Sequence, residues 1–257
     1  MKIAIDAMGG DFGPGEIVRA AIQADRDEGV RIILVGDEAT LRQEIDQAGG
    51  GRGNVEIAPA SQVVEMGEQP TVAVRTKRDS SIVVGIRLVK DSDAHAFVSP
   101  GNSGAVMAAA LFGLGRIAGV ERPALAVRFP TVAGSALVLD VGANVECTAQ
   151  YLKQFGQMGA AYEERVFGIE RPRVALLSNG EESSKGTACI IEAHALLRAS
   201  DLNFIGNVEG KDIPFGQANV IVTDGFTGNV VLKLAEGMGS FLKGMIRDEA
   251  RRDPIST

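Results

Sequence analysis

The sequence contains only two cysteines and two histidines among its 257 residues. Cys147 and Cys189 lie far apart without metal-ligand spacing, so we expect buried or free thiols, as in a reducing cytoplasm. His95 falls inside a strand pattern and His194 inside a helix pattern, which favours structural roles for both. Because the chain also lacks a G-x-S-x-G nucleophile elbow, a Ser-His-Asp triad is not expected.

Long apolar runs are also missing. The longest covers residues 104–115, which is shorter than the roughly 20 residues that a transmembrane helix needs. It is therefore expected to be a buried helix. The apolar residues before Asp6 indicate a strand rather than a signal peptide. We expect a cytoplasmic protein without a transmembrane segment.

The chain is acidic, with a formal net charge of −7, and this argues against general nucleic-acid binding. Its composition is 45% hydrophobic and 23% charged, as in a globular protein with a sizeable core. There are 32 glycines, and most of them follow strand patterns, as the turns of an α/β enzyme require.

Strand and helix patterns alternate along the chain, without a linker or a second core. They predict one α/β domain over residues 1–257, doubly wound, with helices on both faces of a mostly parallel sheet. Residues 124–128 and 135–139 are predicted to form an antiparallel pair at its edge. The other strand patterns cover residues 2–6, 31–35, 55–57, 94–98, 174–177, 204–208 and 220–223. The helix patterns cover 16–24, 38–47, 71–78, 80–90, 104–115, 151–166, 187–198 and 230–252.

Polar, glycine-marked loops follow most of these strands. The loop after Leu177 carries Lys185 beside the start of a helix, where free N–H groups and a cation both favour an anion. An ordinary turn with a solvated lysine is the alternative. Parallel strands bring such loops to one edge of a sheet. One cleft is therefore predicted to gather Asp6, Gly10, Asp11, Asn102, Ser103, Asp140, Asn144, Lys185, Asp224 and Asn229.

The loop at residues 101–104, Gly-Asn-Ser-Gly, is typical of a phosphate cradle at a helix start. It is not a Walker loop, and the glycines at residues 9–13 do not have dinucleotide-binding spacing. No nicotinamide or other cofactor is expected. Asp6, Asp140 and Asp224 can bind a metal or hold loops by hydrogen bonds, and no metal site is predicted. The pattern predicts a site that binds an anionic nucleophile and polarises a carbonyl.

Six collinear motifs carry a resemblance to a known family. IDAMGGDFGP, SPGNSGA, GRIAGVERPALA, LDVGANVE, LLSNGEESSKG and VTDGFTGN resemble the bacterial acyl-ACP:phosphate acyltransferases (PlsX) of phospholipid synthesis. The resemblance covers residues 1 to about 244. It implies a fold like those of isopropylmalate dehydrogenase and phosphotransacetylase, a homodimer, and conversion of acyl-ACP and inorganic phosphate to acyl phosphate and ACP.

The resemblance also implies residue roles. Lys185 and Asn229 are expected to be catalytic, as donors to phosphate or to the developing oxyanion. The polar loops themselves, rather than a motif match, indicate the residues for phosphate or substrate binding, which are expected to be Gly10, Asp11, Gly101, Asn102, Ser103, Gly104, Asn144, Asp224 and Gly228. Pro100 stands where the family usually has alanine. Family members also continue past Thr257, so the chain is expected to be a shortened form that lacks part of the sheet and of the dimer surface.

Two surfaces are predicted for partners. Residues 71–90 hold five basic side chains and one acidic one, a net charge of +4, and we expect Arg75, Lys77 and Arg78 to dock the acidic acyl carrier protein. The alternative is a solvated helix face. The helix at 230–252 has apolar positions from Met238 to Ile246 that suit either core packing or peripheral contact with an anionic membrane.

Two other functions stay open at this point. One is a phosphotransacetylase-like enzyme that uses acyl-CoA, and the other is a non-catalytic protein that binds a carrier protein or a membrane.

Overall fold

A computed structural model describes residues 1–50 and 55–252. The chain divides into two compact units, Met1–Ile117 and Ala118–Thr257. Each unit has its own sheet, with the order β3-β2-β1-β4 in the first and β5-β6-β9-β7-β8 in the second. The predicted α/β fold with parallel strands and flanking helices is confirmed, but the expectation of one sheet is wrong. The strands pair within each unit, and each unit has its own apolar cores. Sequence patterns predict strands but not which strands pair.

The N-terminal unit has four parallel strands and five helices among its described residues. Asp37, Ser80 and Asn102 each cap a helix by accepting a backbone N–H with the side chain, which satisfies a donor that the helix leaves unpaired. The elements are β1 Lys2–Asp6, α1 Pro14–Glu28, β2 Arg31–Gly36, α2 Glu38–Gln47, β3 Val55–Pro59, α3 Pro70–Thr76, α4 Ser81–Lys90, β4 Ala96–Val98 and α5 Ser103–Gly113.

The described part of the C-terminal unit, residues 118–252, has five strands. Of these, β5 and β6 form the predicted antiparallel pair, while the other pairings are parallel. A 3-10 helix, Gly210–Phe215, which the sequence patterns did not predict, precedes β9. The elements are β5 Ala126–Thr131, β6 Gly134–Leu139, α6 Ala149–Phe167, β7 Val174–Leu177, α7 Ala188–Arg198, β8 Phe204–Val208, β9 Val220–Val222 and α8 Gly225–Arg252.

Strand β7 determines where the loops of this unit meet. All four of its residues are buried, and it lies beside β9, which in turn lies beside β6. The core on one side includes the fully buried Leu152 and Phe155 of α6. Since β6, β9 and β7 are parallel neighbours, the loops that follow Leu139, Val222 and Leu177 leave the same edge of the sheet.

Helix α8 begins at Gly225, whereas the sequence patterns predicted a loop up to Asn229. The Asp224 carboxylate accepts hydrogen bonds from the backbone N–H and the hydroxyl of Thr227, both at 2.8 Å. This is the arrangement of a helix N-cap, and it starts the helix five residues early. Gly228 and Asn229 therefore lie in the first turns of α8.

The distal part of α8 is not packed in a core. Phe241 is 59% and Ile246 is 71% exposed, so the expectation of ordinary core packing is wrong. A helix of 28 residues is about 42 Å long and extends past a sheet whose strands have three to six residues. Its start packs against an apolar core through Val231 and Leu232. Among the described residues, no helix is long and apolar enough to cross a membrane.

Candidate active site

A cavity of about 1020 Å³ opens at the edge of the C-terminal sheet, where the loops after β6, β7 and β9 meet. Such a volume is at the upper end of the range for ligand pockets. Its lining combines apolar side chains with hydroxyl, amide, carboxylate and thiol groups. The lining residues are Val145, Glu146, Cys147, Leu152, Leu177, Ser178, Asn179, Gly186, Thr187, Cys189, Ile190, Asp224, Phe226 and Thr227.

Asp140 shapes the loop after β6. It is fully buried, and its carboxylate accepts backbone hydrogen bonds from Leu125, Gly142, Ala143 and Asn144 at 2.7–3.1 Å. The Asn144 side chain donates a further bond of 2.8 Å. A buried carboxylate requires such partners because its desolvation is costly. In this structure Asp140 holds the loop by hydrogen bonds. This is one of the two roles, metal ligand or loop anchor, that the sequence left open for it.

The start of α8 packs closely against that loop. A Cβ on Gly228 would lie 1.9 Å from the carbonyl oxygen of Asp140, and one on Gly225 would lie 2.7 Å from that of Asn144. Both positions therefore require glycine. The Asn229 amide donates to the carbonyl of Val141 at 3.1 Å. Asp140, Asn144, Asp224, Gly228 and Asn229, predicted from separate motifs, thus lie in two contacting segments.

Lys185 lies in the loop between β7 and α7. Its side chain is exposed, and its backbone N–H donates to the carbonyl of Glu182 at 3.0 Å. The next residue, Gly186, has a φ of +105°, a conformation that favours glycine. Gly186 and Thr187 line the cavity, and Thr187 caps α7. Lys185 therefore directly precedes two cavity-lining residues.

The two cysteines line the same cavity. The Cys189 thiol donates to the carbonyl of Cys147 at 3.2 Å, and the Cys147 thiol to that of Asn144 at 3.5 Å. Burial raises the pKa of Cys147 to about 11, and the charges of Asp140 and Asp224 add to the effect. Burial likewise raises the pKa of Cys189. Because the thiolate is the reactive form, both thiols are poor nucleophiles near neutral pH.

The N-terminal unit contains a second pair of polar loops. Asp6 accepts from the backbone N–H groups of Met8 and Gly9, each at 3.1 Å, and from the Ser99 hydroxyl at 2.7 Å. A Cβ on Gly9 would lie 2.8 Å from the Gly101 nitrogen, so the loops after β1 and β4 touch. Asp6 therefore also holds loops by hydrogen bonds.

Four more predicted residues lie in or beside these contacting loops. Gly10 has a φ of +85°, and a Cβ there would lie 3.2 Å from that of Pro100. Asp11 is exposed, as is Ser103 at the first position of α5. The Gly101 N–H donates to the Ser99 hydroxyl at 3.0 Å.

The amide of Asn102 is engaged within the protein. Its oxygen caps α5 by accepting from Ala105, while its nitrogen lies 3.0 Å from the carbonyl of Met66 and 3.3 Å from that of Glu68. A Cβ on Gly104 would lie 2.7 Å from Pro70. The N–H groups of Ser103 and Gly104 belong to the first turn of α5, where a helix has no internal partner for its donors.

The three predicted docking residues have different surroundings. The Lys77 ammonium contacts the Glu68 carboxylate and donates to the carbonyl of Val63 at 2.7 Å, so its charge is neutralised locally. Arg75 and Arg78 are exposed. The Arg75 guanidinium lies 5.1 Å from the centre of the Phe112 ring, within the range of a cation–π interaction.

The sequence patterns did not identify several cavity residues, among them Thr187, Cys189, Phe226 and Thr227. Thr187 directly follows the motif LLSNGEESSKG, and Thr227 belongs to VTDGFTGN. Both threonines could therefore have been identified from their positions near strand ends. Phe226 belongs to the motif VTDGFTGN and therefore carried the same signal as Thr227. Cys189 lies two residues after Thr187 and was expected only to be a buried or free thiol. The predicted cleft also draws on residues of the N-terminal unit, and it stays a prediction.

Comparisons with known proteins agree on the family. A family model described as "Fatty acid synthesis protein" matches residues 1–257. The phosphate acyltransferase of Heliobacterium modesticaldum is 53% identical over 257 residues, which are 100% of this chain and 77% of that protein. That of Pelotomaculum thermopropionicum is 52% identical over 249 residues, covering 97% of this chain and 72% of that protein.

The fold has a counterpart among solved structures. A phosphotransacetylase from Streptococcus pyogenes superposes with a TM-score of 0.70 at 22% identity, covering 93% of this chain and 82% of that one. At this identity the likeness shows the fold alone, and it confirms the predicted phosphotransacetylase-like architecture. Residues 1–257 match the family model throughout, and the chain therefore belongs to the fatty acid synthesis protein family, in which relatives about half identical to it are named phosphate acyltransferases.

Proposed function

We propose that residues 1–257 act as one catalytic domain that transfers an acyl group from acyl-ACP to inorganic phosphate, giving acyl phosphate and free ACP in phospholipid synthesis. The cavity of about 1020 Å³ carries the proposal. Its apolar wall, with Leu152, Leu177 and Ile190, suits an acyl chain. Its rim adjoins the loop of Lys185 and the first turns of α8, where Asn229 lies.

Two side chains are assigned to the reaction. The exposed ammonium of Lys185 supplies a point charge on a flexible stem, which suits an incoming phosphate. The Asn229 amide, one hydrogen of which is donated to Val141, keeps a second hydrogen for the thioester oxygen as it gains charge. Donors fixed before the reaction stabilise such an oxyanion without reorganisation.

The other predicted binding residues divide by their contacts. Ser103 and Gly104 offer first-turn N–H groups to phosphate. The amide hydrogens of Asn144 are donated to the Asp140 carboxylate and the Pro123 carbonyl. Those of Asn102 are donated to the carbonyls of Met66 and Glu68. In this proposal both asparagines hold their loops. In the N-terminal unit, Gly10, Asp11 and Gly101 shape the loops that precede Ser103 and Gly104. In the C-terminal unit, Asp224 and Gly228 shape the start of α8.

Phosphate attacks the thioester directly in this mechanism. A phosphate oxygen bonds to the carbonyl carbon, the carbonyl oxygen becomes an oxyanion, and the C–S bond then breaks so that the thiolate leaves with the carrier. A protein nucleophile is not required. The two thiols of the cavity suit this assignment poorly because burial raises the pKa of both.

Labelled phosphate tests the function, and a search for a trapped acyl-enzyme tests the order of steps. Incubation of acyl-ACP with the protein and ¹⁸O-labelled phosphate is expected to give acyl phosphate that carries the label, together with free ACP, as mass spectrometry would show. Without phosphate, acyl-ACP should persist. An acyl group trapped on Cys147 or Cys189 would contradict direct attack, and an absence of acyl phosphate would contradict the function.

The same assay separates the alternatives. A phosphotransacetylase-like enzyme would use acyl-CoA at least as well as acyl-ACP in side-by-side kinetics. A non-catalytic binding protein would bind the carrier without turnover. No metal or other cofactor is included in the proposed reaction.

We place the protein in the cytoplasm as a homodimer that associates peripherally with the inner face of the membrane. The distal part of α8 supports this proposal. Phe241, Met245 and Ile246 are more than half exposed, and Lys243 and Arg247 are exposed on the same segment. An amphipathic helix with cations suits the surface of an anionic bilayer.

The double substitution Phe241→Ser/Ile246→Ser is expected to lower binding to anionic phosphatidylglycerol vesicles by at least about tenfold, because two large apolar side chains no longer enter the bilayer. Vesicle sedimentation measures the bound fraction, and neutral vesicles are the control. Light scattering checks the alternative occupant, a second copy of the chain. Unchanged sedimentation together with a loss of dimers would assign this face to the homodimer and contradict membrane binding.

A further inference from the structure

A groove of about 400 Å³ lies between α3, α4 and α5 of the N-terminal unit. Its floor is apolar and includes Val74, Ile86 and Phe112. Phe112 is 48% exposed, although phenylalanine is usually buried in folded proteins. An apolar concavity with an accessible aromatic ring is the usual form of a site that receives an apolar group.

The rim of this groove is basic. Arg75 and Arg78 come from α3 and the turn after it, and Arg87 and Lys90 come from the last turn of α4. All four are exposed. None of them forms an ion pair with a carboxylate within residues 1–50 and 55–252. Asp79 is the acidic neighbour of this rim, since its pKa is lowered mainly by hydrogen bonds from Ser61 and further by the charge of Arg87. The rim still gathers four cations in a chain with a net charge of −7.

The position of the groove relative to the predicted phosphate loop matters for delivery of a substrate. Helix α5 starts at Ser103, beside that loop, and Phe112 lies near its other end. The rise along the helix between these residues is about 14 Å. A partner seated in the groove would therefore contact the enzyme away from the phosphate loop and would need a flexible arm to present its thioester there.

We infer that this groove is the docking site for the acyl carrier, which inserts an apolar side chain between flanking carboxylates of an acidic amphipathic helix. The inference rests on the proposed function and deepens it. It adds Arg87, Lys90 and the apolar floor to the docking surface, and it removes Lys77, whose charge is already engaged by Glu68. Helix-in-groove binding supplies affinity through the apolar anchor, while the cations raise the association rate.

The contribution of the basic rim to docking is tested with the double substitution Arg75→Glu/Lys90→Glu. Binding of fluorescently labelled holo-ACP, followed by anisotropy, is expected to weaken at least tenfold at low salt, with a smaller difference at high salt because screening removes the attraction. The matched control is Arg165→Glu. Arg165 is an exposed cation in the last turn of α6, as Lys90 is in the last turn of α4. Its reversal therefore costs a helix-dipole interaction of the same kind, and ACP affinity should stay within about twofold of wild type.

The contribution of the apolar floor to docking is tested with Phe112→Gln. This substitution leaves the charge unchanged, so ACP binding is expected to weaken about tenfold without a change in its salt dependence. Circular dichroism melting excludes unfolding. Wild-type affinity for ACP in both the charge variant and Phe112→Gln would overturn the inference.

Turnover distinguishes failure of the inference from failure of the proposed function. In both groove variants the KM for acyl-ACP should rise at least fivefold, whereas kcat with acyl-pantetheine, which has no carrier domain, should be unchanged. An equal loss with both substrates would mean that the catalytic site was damaged, and it would count against docking. A wild-type protein that binds ACP in the groove but forms no acyl phosphate would contradict the proposed function and leave the docking site supported.

Discussion

Replacement of Lys185 with alanine is expected to lower turnover of acyl-ACP about a hundredfold, since removal of one donor from a preorganised site typically costs about 3 kcal/mol. The melting temperature should hardly change, because the side chain is exposed. Lys211→Ala is the control. Lys211 is an exposed lysine of the same unit that contacts Glu209, and its removal should leave turnover within twofold.

Asn229→Ala is expected to produce a similar loss of turnover for a different reason. Its amide stabilises the oxyanion, and it also donates one bond to Val141, so unfolding should become easier by about 1 kcal/mol. If Lys185 and Asn229 act on one transition state, the double variant should lose less than the product of the two single losses. Wild-type turnover by Lys185→Ala would remove Lys185 from the mechanism.

Asp140→Ala is expected to have the largest effect on stability. It leaves the backbone N–H groups of Leu125, Gly142, Ala143 and Asn144 without their acceptor. Each buried donor that loses its partner costs about 1–3 kcal/mol. The free energy of unfolding should therefore fall by at least about 4 kcal/mol, an exceptional value for one substitution. Urea denaturation followed by circular dichroism measures it.

Asp224→Ala is the matched control for Asp140→Ala. Asp224 also follows a strand of the same sheet, but it is half-buried, and within residues 1–50 and 55–252 its carboxylate accepts from Thr227. Loss of such a cap costs about 1 kcal/mol. If Asp140→Ala destabilised the protein no more than Asp224→Ala, then the hydrogen bonds of Asp140 would not hold the loop after β6.

Local patterns predicted most elements of the fold correctly. The bounds of β1, α2 and β8 match the predictions, because apolar alternation and capping residues such as Asp37 act within a few residues of the chain. The start of α8 was misplaced because the glycines after Asp224 are typical of a turn. Their actual cause, the close approach of α8 to Asp140 and Asn144, involves residues more than 80 positions away in the sequence.

By itself the sequence determined the α/β class, the polar loops at the strand ends and, through six motifs, the family. These properties depend on short-range periodicity and on residue identity. Only the tertiary structure decided that the strands form two sheets, that Lys77 is engaged by Glu68 while Arg75 lies over the Phe112 ring, and that the distal part of α8 is exposed. Strand pairing, ion pairing and burial depend on which distant segments come together, and local patterns carry no information about that.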